Sequence, residues 1–265
     1  MNPYELFDKP EEKPLDVLPL DGGFSCIFRT FCCIGDSFSA GEFQTVDEKG
    51  ENQYRDIYEH SWGQYLARMT GATAYVFARG GMSAKEYCDT FAEKMDFWNP
   101  KYASQAYIIA LGVNDLLNLK HPVGAISDID LSDWRNNKQT FAGFYGQIVQ
   151  RMKEIQPNAK FFFMTMPGYT RDTDAIVELR RKHSDLLHQM AKLFSNAYVL
   201  DFHQYAPVFD ERFRDLYFLQ GHMNPWGYAL IGKMVASYLD YLIRHNPEDF
   251  KSGGLIGHLC PLPPG

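Results

Sequence analysis

The segment CCIGDSFSAGEF, residues 32–43, changes character halfway along. It begins as the end of an apolar run over about residues 27–34 and breaks into Gly35-Asp36-Ser37. An apolar run of that length, bounded by turn residues, predicts a buried strand. A serine just beyond its carboxyl end is either a turn residue or a hydroxyl held at a strand mouth, where parallel α/β sheets place their ligands.

Outward from this point the same pattern repeats. Four further apolar strands are expected at ATAYVFA (72–78), QAYIIALG (105–112), KFFFMTM (160–166) and AYVLDF (197–202). Between them lie amphipathic helices. One closes on Gly71, and one opens on the Ser83-x-x-Glu86 capping box with Ala84, Tyr87, Cys88, Phe91 and Met95 at helical spacing. Another is stopped by Pro157, one runs over roughly 175–195, and the last starts at Asn224-Pro225. Five apolar strands separated by helices imply a mostly parallel sheet covered on both faces, an α/β domain. The whole chain, 1–265, is expected to form one domain, with a lead-in over 1–26 and a tail over 246–265.

Composition restricts the function. With 45% apolar and 15% aromatic residues, the 265-residue chain can bury its own core. A charge of -7, from 33 acids against 26 Lys and Arg, disfavours a nucleic-acid partner. No apolar run is long enough to span a bilayer. Cys26, Cys32, Cys33, Cys88 and Cys260 form no CxxC pair or His-Cys cluster, so neither a zinc site nor a disulfide framework is expected. The N-terminal residues, rich in Pro and acids, lack a secretory pattern, and the expected location is cytoplasmic.

The residues beyond the predicted strands carry the chemistry. They are Asp36-Ser37, Arg79-Gly80-Gly81, Gly112-Val113-Asn114-Asp115 and, before the final helix, LQGHMNPWGY with His222. Acyl transfer needs a hydroxyl nucleophile, a base and donors for an oxyanion. Ser37 is the candidate nucleophile and His222 the base. The Ser37 and Gly81 N–H groups and the Asn114 amide are the candidate oxyanion hole. Taken singly, Ser37 and Asn114-Asp115 would be turn residues, and His222 could satisfy a helix end. Their order at successive strand ends favours the catalytic reading. Asp36 and Asp115 are expected to shape loops.

GDSFSAGE, RGGMS, GVND and His222 together resemble the conserved blocks of the SGNH, or GDSL-type, hydrolases, over about residues 28–243. The resemblance implies a flavodoxin-like three-layer α/β/α fold and a serine esterase or lipase without a metal or other cofactor. It departs at one point: the family's acid usually stands three residues before the histidine, where this chain has Leu219. The orienter of His222 is left open among Asp215, a backbone carbonyl and Gln220.

GYALIGKM (227–234) imitates a phosphate loop but lies in a helical pattern. Ser39 breaks the Gly-x-Ser-x-Gly elbow of an α/β-hydrolase. His183 and His188 are badly spaced for a metal pair. The polar loop 118–137 is expected to overhang the pocket. Trp62, Trp134, Tyr169 and Trp226 are candidates for a sugar platform, against a plain structural role. The expected reaction is hydrolysis of a short acyl ester, acetyl preferred, on a carbohydrate through an acyl-enzyme. Lysophospholipase, thioesterase and acyltransferase activities are the alternatives within the family, and a catalytically silent carbohydrate-binding protein lies outside it.

Overall fold

The computed structural model describes residues 9–257. The first eight residues of the lead-in and the last eight of the tail, with Cys260, lie outside them.

All five predicted strands form. They belong to a set of seven among the described residues: β1 Thr30–Gly35, β2 Glu42–Val46, β3 Asn52–Asp56, β4 Thr73–Ala78, β5 Ala106–Ala110, β6 Lys160–Met164 and β7 Ala197–Leu200. Five of these make one sheet in the order β4-β1-β5-β6-β7, and each of its pairs is parallel. The chain starts in the middle, adds β4 on one side and then β5, β6 and β7 on the other. Strand order therefore reverses at the gap between β1 and β5, the crevice where such sheets bind ligands.

Side-chain alternation divides the core. Cys32, Ile34, Tyr107, Ile109, Phe161 and Phe163 face one apolar cluster, and Phe31, Cys33, Ile108, Phe162, Met164 and Leu200 face the other. Period two is what a strand buried on both faces requires. The apolar stripes of the helices cover both faces: α2 (Trp62–Thr70), α3 (Ala84–Glu86) continuing through a π turn at Tyr87–Phe91 into α4 (Ala92–Lys94), α5 (Phe141–Ile155), α6 (Asp174–Leu193) and α9 (Pro225–His245). Short helices α1 (Ser37–Ala40), α7 (Phe202–Tyr205) and α8 (Glu211–Tyr217) sit near the sheet's carboxyl edge.

The predicted caps are in place. Gly71 ends α2 in the left-handed conformation, the Ser83 side chain accepts from the Glu86 N–H, and the Asn224 side chain accepts from Gly227 at the start of α9. The phosphate-loop imitation lies inside α9. The described part of the tail packs beneath the sheet, where the Gly254 and Ile256 carbonyls accept from the Gln105 amide.

One element was absent from the sequence reading. β2 and β3 pair antiparallel, Glu42 opposite Asp56 and Gln44 opposite Tyr54. The connecting turn is shaped by Asp47, whose carboxylate accepts from the Lys49 and Glu51 N–H groups. This hairpin projects from the turn that carries Ser37.

Candidate active site

Ser37 is placed by the collision of a strand with a helix start. β1 ends at Gly35, and Asp36 caps α1 by accepting from the Phe38 N–H at 3.1 Å. Ser37 is then the first helical residue, whose N–H has no partner within a helix. The residue is buried. Among the described residues its hydroxyl has no hydrogen-bond partner, and it is not one of the fully enclosed polar atoms.

Asn114 arrives from the neighbouring strand. After β5 the chain turns at Gly112, whose φ of 133° favours glycine, and where an added Cβ would lie 2.6 Å from His183 Nε2. A π turn over Val113–Asn118 follows and carries Asn114 inward. Asn114 Nδ2 donates to the Met82 carbonyl at 3.0 Å and approaches Asp36 Oδ2 at 3.5 Å. Asn118 donates to its Oδ1. Asn114 is thereby tied to the turn of Ser37. Asp115 accepts the Ala84 N–H through both oxygens, the loop-shaping role expected of it.

Asp36 is fully enclosed, and burial pushes its carboxyl up to about 7, with the negative charges of Asp115 and Glu42 adding to the effect. Gly80 and Gly81 lie beyond β4 as expected, Gly81 with φ +73°. A Cβ on Gly80 would sit 2.1 Å from Glu42 Oε2, so the Glu42 carboxyl rests against this glycine backbone.

His222 reaches the same place from the far end of the chain. Its ring centroid lies 5.7 Å from that of Phe38, next to Ser37, and Tyr54 meets it edge-on at 5.9 Å. Its nitrogens face the hairpin. Nε2 is 2.9 Å from Glu42 Oε1, and Nδ1 is 3.4 Å from Gln44 Oε1, which also accepts from the Gly221 N–H at 2.8 Å. Because the Gln44 oxygen can only accept, Nδ1 carries a proton; Nε2 donates to the Glu42 carboxylate when that is ionised and accepts from its O–H when it is protonated. Burial lowers the His222 pKa. The Glu42 carboxyl is raised, chiefly by desolvation and then by Asp56.

Ser37 Oγ and His222 do not hydrogen-bond in this resting geometry. Nε2 rests on Glu42 instead. Catalytic contacts of this kind often close only when substrate is bound.

None of the three orienters considered from sequence, Asp215, Gln220 or a backbone carbonyl, contacts the His222 ring among the described residues. Asp215 is exposed on α8 and makes no ion pair or hydrogen bond with His222. Gln220 is exposed and gives its carbonyl to Arg214. Leu219, half-exposed, donates its N–H to the His222 carbonyl. Glu42 and Gln44, which do touch the ring, were missed. Their sequence trace is Glu-Phe-Gln, in which a single apolar residue between two polar ones marks a strand with one buried face.

A cavity of about 220 Å³ lies behind the turn, lined by Asp36, Phe38, Met164, Tyr169, Met223 and Tyr228 among others. Trp62 and Tyr169 are on its wall. Trp226 is exposed, and Trp134 stacks beneath Arg151 away from the site. The loop 118–137 contributes nothing to the cavity wall. It packs on α5 instead, where Asp128 accepts from Lys138 and Thr140. His183 and His188 have separate partners, the Leu111 carbonyl and Asp201. Among the described residues no cluster of His, Cys, Asp or Glu could hold a metal ion, and no helix is long and apolar enough to cross a membrane.

This fold, with a serine at the first strand end and a histidine delivered to it, defines a class of lipases and acylhydrolases. The chain belongs to the GDSL-like lipase/acylhydrolase family, whose model matches residues 33–230. Three carbohydrate esterases are among the solved structures that share the fold. A family two carbohydrate esterase from Clostridium thermocellum, in complex with cellohexaose, is 15% identical with a TM-score of 0.56, over 90% of this chain and 66% of that one. A carbohydrate esterase family 2 enzyme with a carbohydrate-binding domain from Myceliophthora fergusii is 17% identical with a TM-score of 0.55, over 87% and 69%. A carbohydrate acetylesterase from Sinorhizobium meliloti is 14% identical with a TM-score of 0.51, over 81% and 99%. No curated protein matches the chain.

Proposed function

We propose that the protein is a serine esterase that cleaves an acyl group from a carbohydrate alcohol through an acyl-enzyme. Ser37 Oγ attacks the ester carbonyl while His222 Nε2 takes its proton. The tetrahedral oxyanion is met by the Ser37 and Gly81 N–H groups and by Asn114 Nδ2, each such donor being worth about 3 kcal/mol. The carbon–oxygen bond to the alcohol then breaks, and the imidazolium returns its proton to the departing alkoxide. Water, deprotonated by the same Nε2, attacks the acyl-enzyme, and the carboxylic acid leaves as Ser37 regains its proton.

In this reading Gln44 holds the Nδ1–H tautomer and Glu42 stabilises the imidazolium, between them replacing the acid missing at position 219. The observation that carries the proposal is the convergence of His222 and Asn114 on the turn of Ser37 at the reversal of strand order. The carbohydrate half rests on the names of the structural neighbours. The test is hydrolysis of a panel of acetylated sugars and p-nitrophenyl esters by wild type, Ser37→Ala and His222→Ala. Turnover by wild type that falls about 10⁴-fold or more in both variants is expected. Equal turnover in all three would refute it, and sugar binding without turnover would favour a binding protein.

A further inference from the structure

The cavity behind Ser37 is larger than an acetyl group needs. Part of its wall is built by residues next in sequence to the site, Asp36 and Phe38 on either side of Ser37, Val113 before Asn114, and Met223 after His222, while Ser37, Asn114 and His222 themselves do not line it. Phe38 lines the cavity and also packs on the His222 ring. Beyond it the wall is apolar, built by Met164, Met166, Phe209 and Ile231.

Most polar side chains on the wall already have partners, the Tyr169 hydroxyl being without one among the described residues. Asp36 accepts from Phe38 N–H, the Thr165 hydroxyl donates to Asp201, Ser39 accepts from the Trp62 indole, and Arg180 is bound by both oxygens of Asp172. A pocket so lined offers few polar atoms to sugar hydroxyls or to a cluster of waters. Apolar cavities of about 150 Å³ stay dry and take up a benzene-sized ligand. A space of about 220 Å³ on that scale holds a chain of roughly six to eight carbons.

Resting on Ser37 as the nucleophile, we propose that this cavity receives the acyl chain, so that the preferred substrates are esters of medium-length aliphatic acids rather than acetates. Phe38 is then the partition between the reacting carbonyl and the chain, and Met164, Phe209 and Ile231 set the chain length.

Two measurements test this independently of each other. The first is kcat/KM for p-nitrophenyl acetate, butyrate, hexanoate, octanoate and dodecanoate. The expected result is a rise of about threefold to fourfold per added methylene, the value of a buried CH₂, up to hexanoate or octanoate and a fall beyond. The second is calorimetric titration of Ser37→Ala with 1-butanol, 1-hexanol and 1-octanol, which needs no turnover; affinity should climb with length. Ile231→Phe, which fills the space, should lower the octanoate-to-acetate ratio at least tenfold, and Phe209→Ala should move the optimum to longer chains. Melting temperatures identify any variant that has not folded, and the two substitutions act in opposite directions.

Esters hydrolysed without a length preference, together with alcohols that fail to bind, would overturn the cavity assignment and leave the Ser37 chemistry standing. Length-dependent alcohol binding with no hydrolysis of any ester would uphold the cavity as a chain site and overturn the esterase reading.

Discussion

Glu42→Gln removes one charge from the site with almost no change of shape. Glu42 Oε1 lies 2.9 Å from His222 Nε2, and both side chains are largely buried, 13% and 16% exposed, so solvent screens the pair weakly. In the proposed mechanism that contact has to open for Nε2 to reach Ser37, so the carboxylate acts on the imidazolium through space, an attraction of about 1.5–3 kcal/mol over roughly 5–10 Å at an effective dielectric near 20. The loss should therefore fall on kcat, by about 10- to 150-fold at pH 8, with KM little altered.

The pH dependence supplies a second check. Desolvation and Asp56 hold the Glu42 carboxyl above its ordinary value. Above that raised value it is ionised, and its charge acts. As pH falls through that raised value it becomes neutral, and a neutral carboxyl and an amide are nearly equivalent. The wild-type to variant ratio should thus shrink toward one on acidification. Initial rates with p-nitrophenyl esters from pH 5 to 9, alongside melting temperatures, give both results. A ratio within twofold at pH 8 with matched stability, or a ratio that does not vary with pH, refutes the role given to Glu42.

Two further outcomes follow from the same geometry. Asp36, fully enclosed and raised to about 7, keeps its proton in the folded state while the unfolded carboxyl ionises near 4. Folded protein then binds more protons than unfolded over pH 4–7, so this group's contribution is complete in acid and is lost as pH rises. Asp36→Asn mimics the protonated acid and should gain stability relative to wild type across that range, up to about 4 kcal/mol at pH 8. Thermal unfolding of both proteins at pH 4 and 8 measures it, and an equal difference at the two pH values would contradict the assignment. Gly112→Ala forces a side chain into φ 133° and within 2.6 Å of His183 Nε2. A cost of about 2–4 kcal/mol is expected from backbone strain and displacement of the buried imidazole, read by calorimetry as a drop of roughly 5–10 °C.

The sheet was legible because its strands are long apolar runs buried on both faces, and because Gly71, Ser83 and Asn224 punctuate the helices with chemistry that acts locally. Ser37, Asn114 and His222 were legible for a related reason: each follows a strand or precedes a helix, and the α/β architecture brings those ends to one edge. Glu42 and Gln44 were not. Their strand is five residues long with Phe43 its one fully apolar buried side chain, and the contact of Gln44 with His222 spans 178 residues of sequence. Asp215 was chosen by nearness in sequence, which says little about a histidine held in the tight turn between α8 and α9. The loop over 118–137 was read as an overhang on length alone, whereas Asp128, Lys138 and Thr140 fasten it to α5.

The central claim is that the hydroxyl of Ser37 becomes nucleophilic through His222. Mass spectrometry of the protein after treatment with a fluorophosphonate addresses it directly. The account predicts a single covalent adduct on the peptide containing Ser37, formed rapidly by wild type and very slowly by His222→Ala. Folded protein that takes up no reagent, or an adduct on another residue formed at the same rate in both proteins, would contradict it.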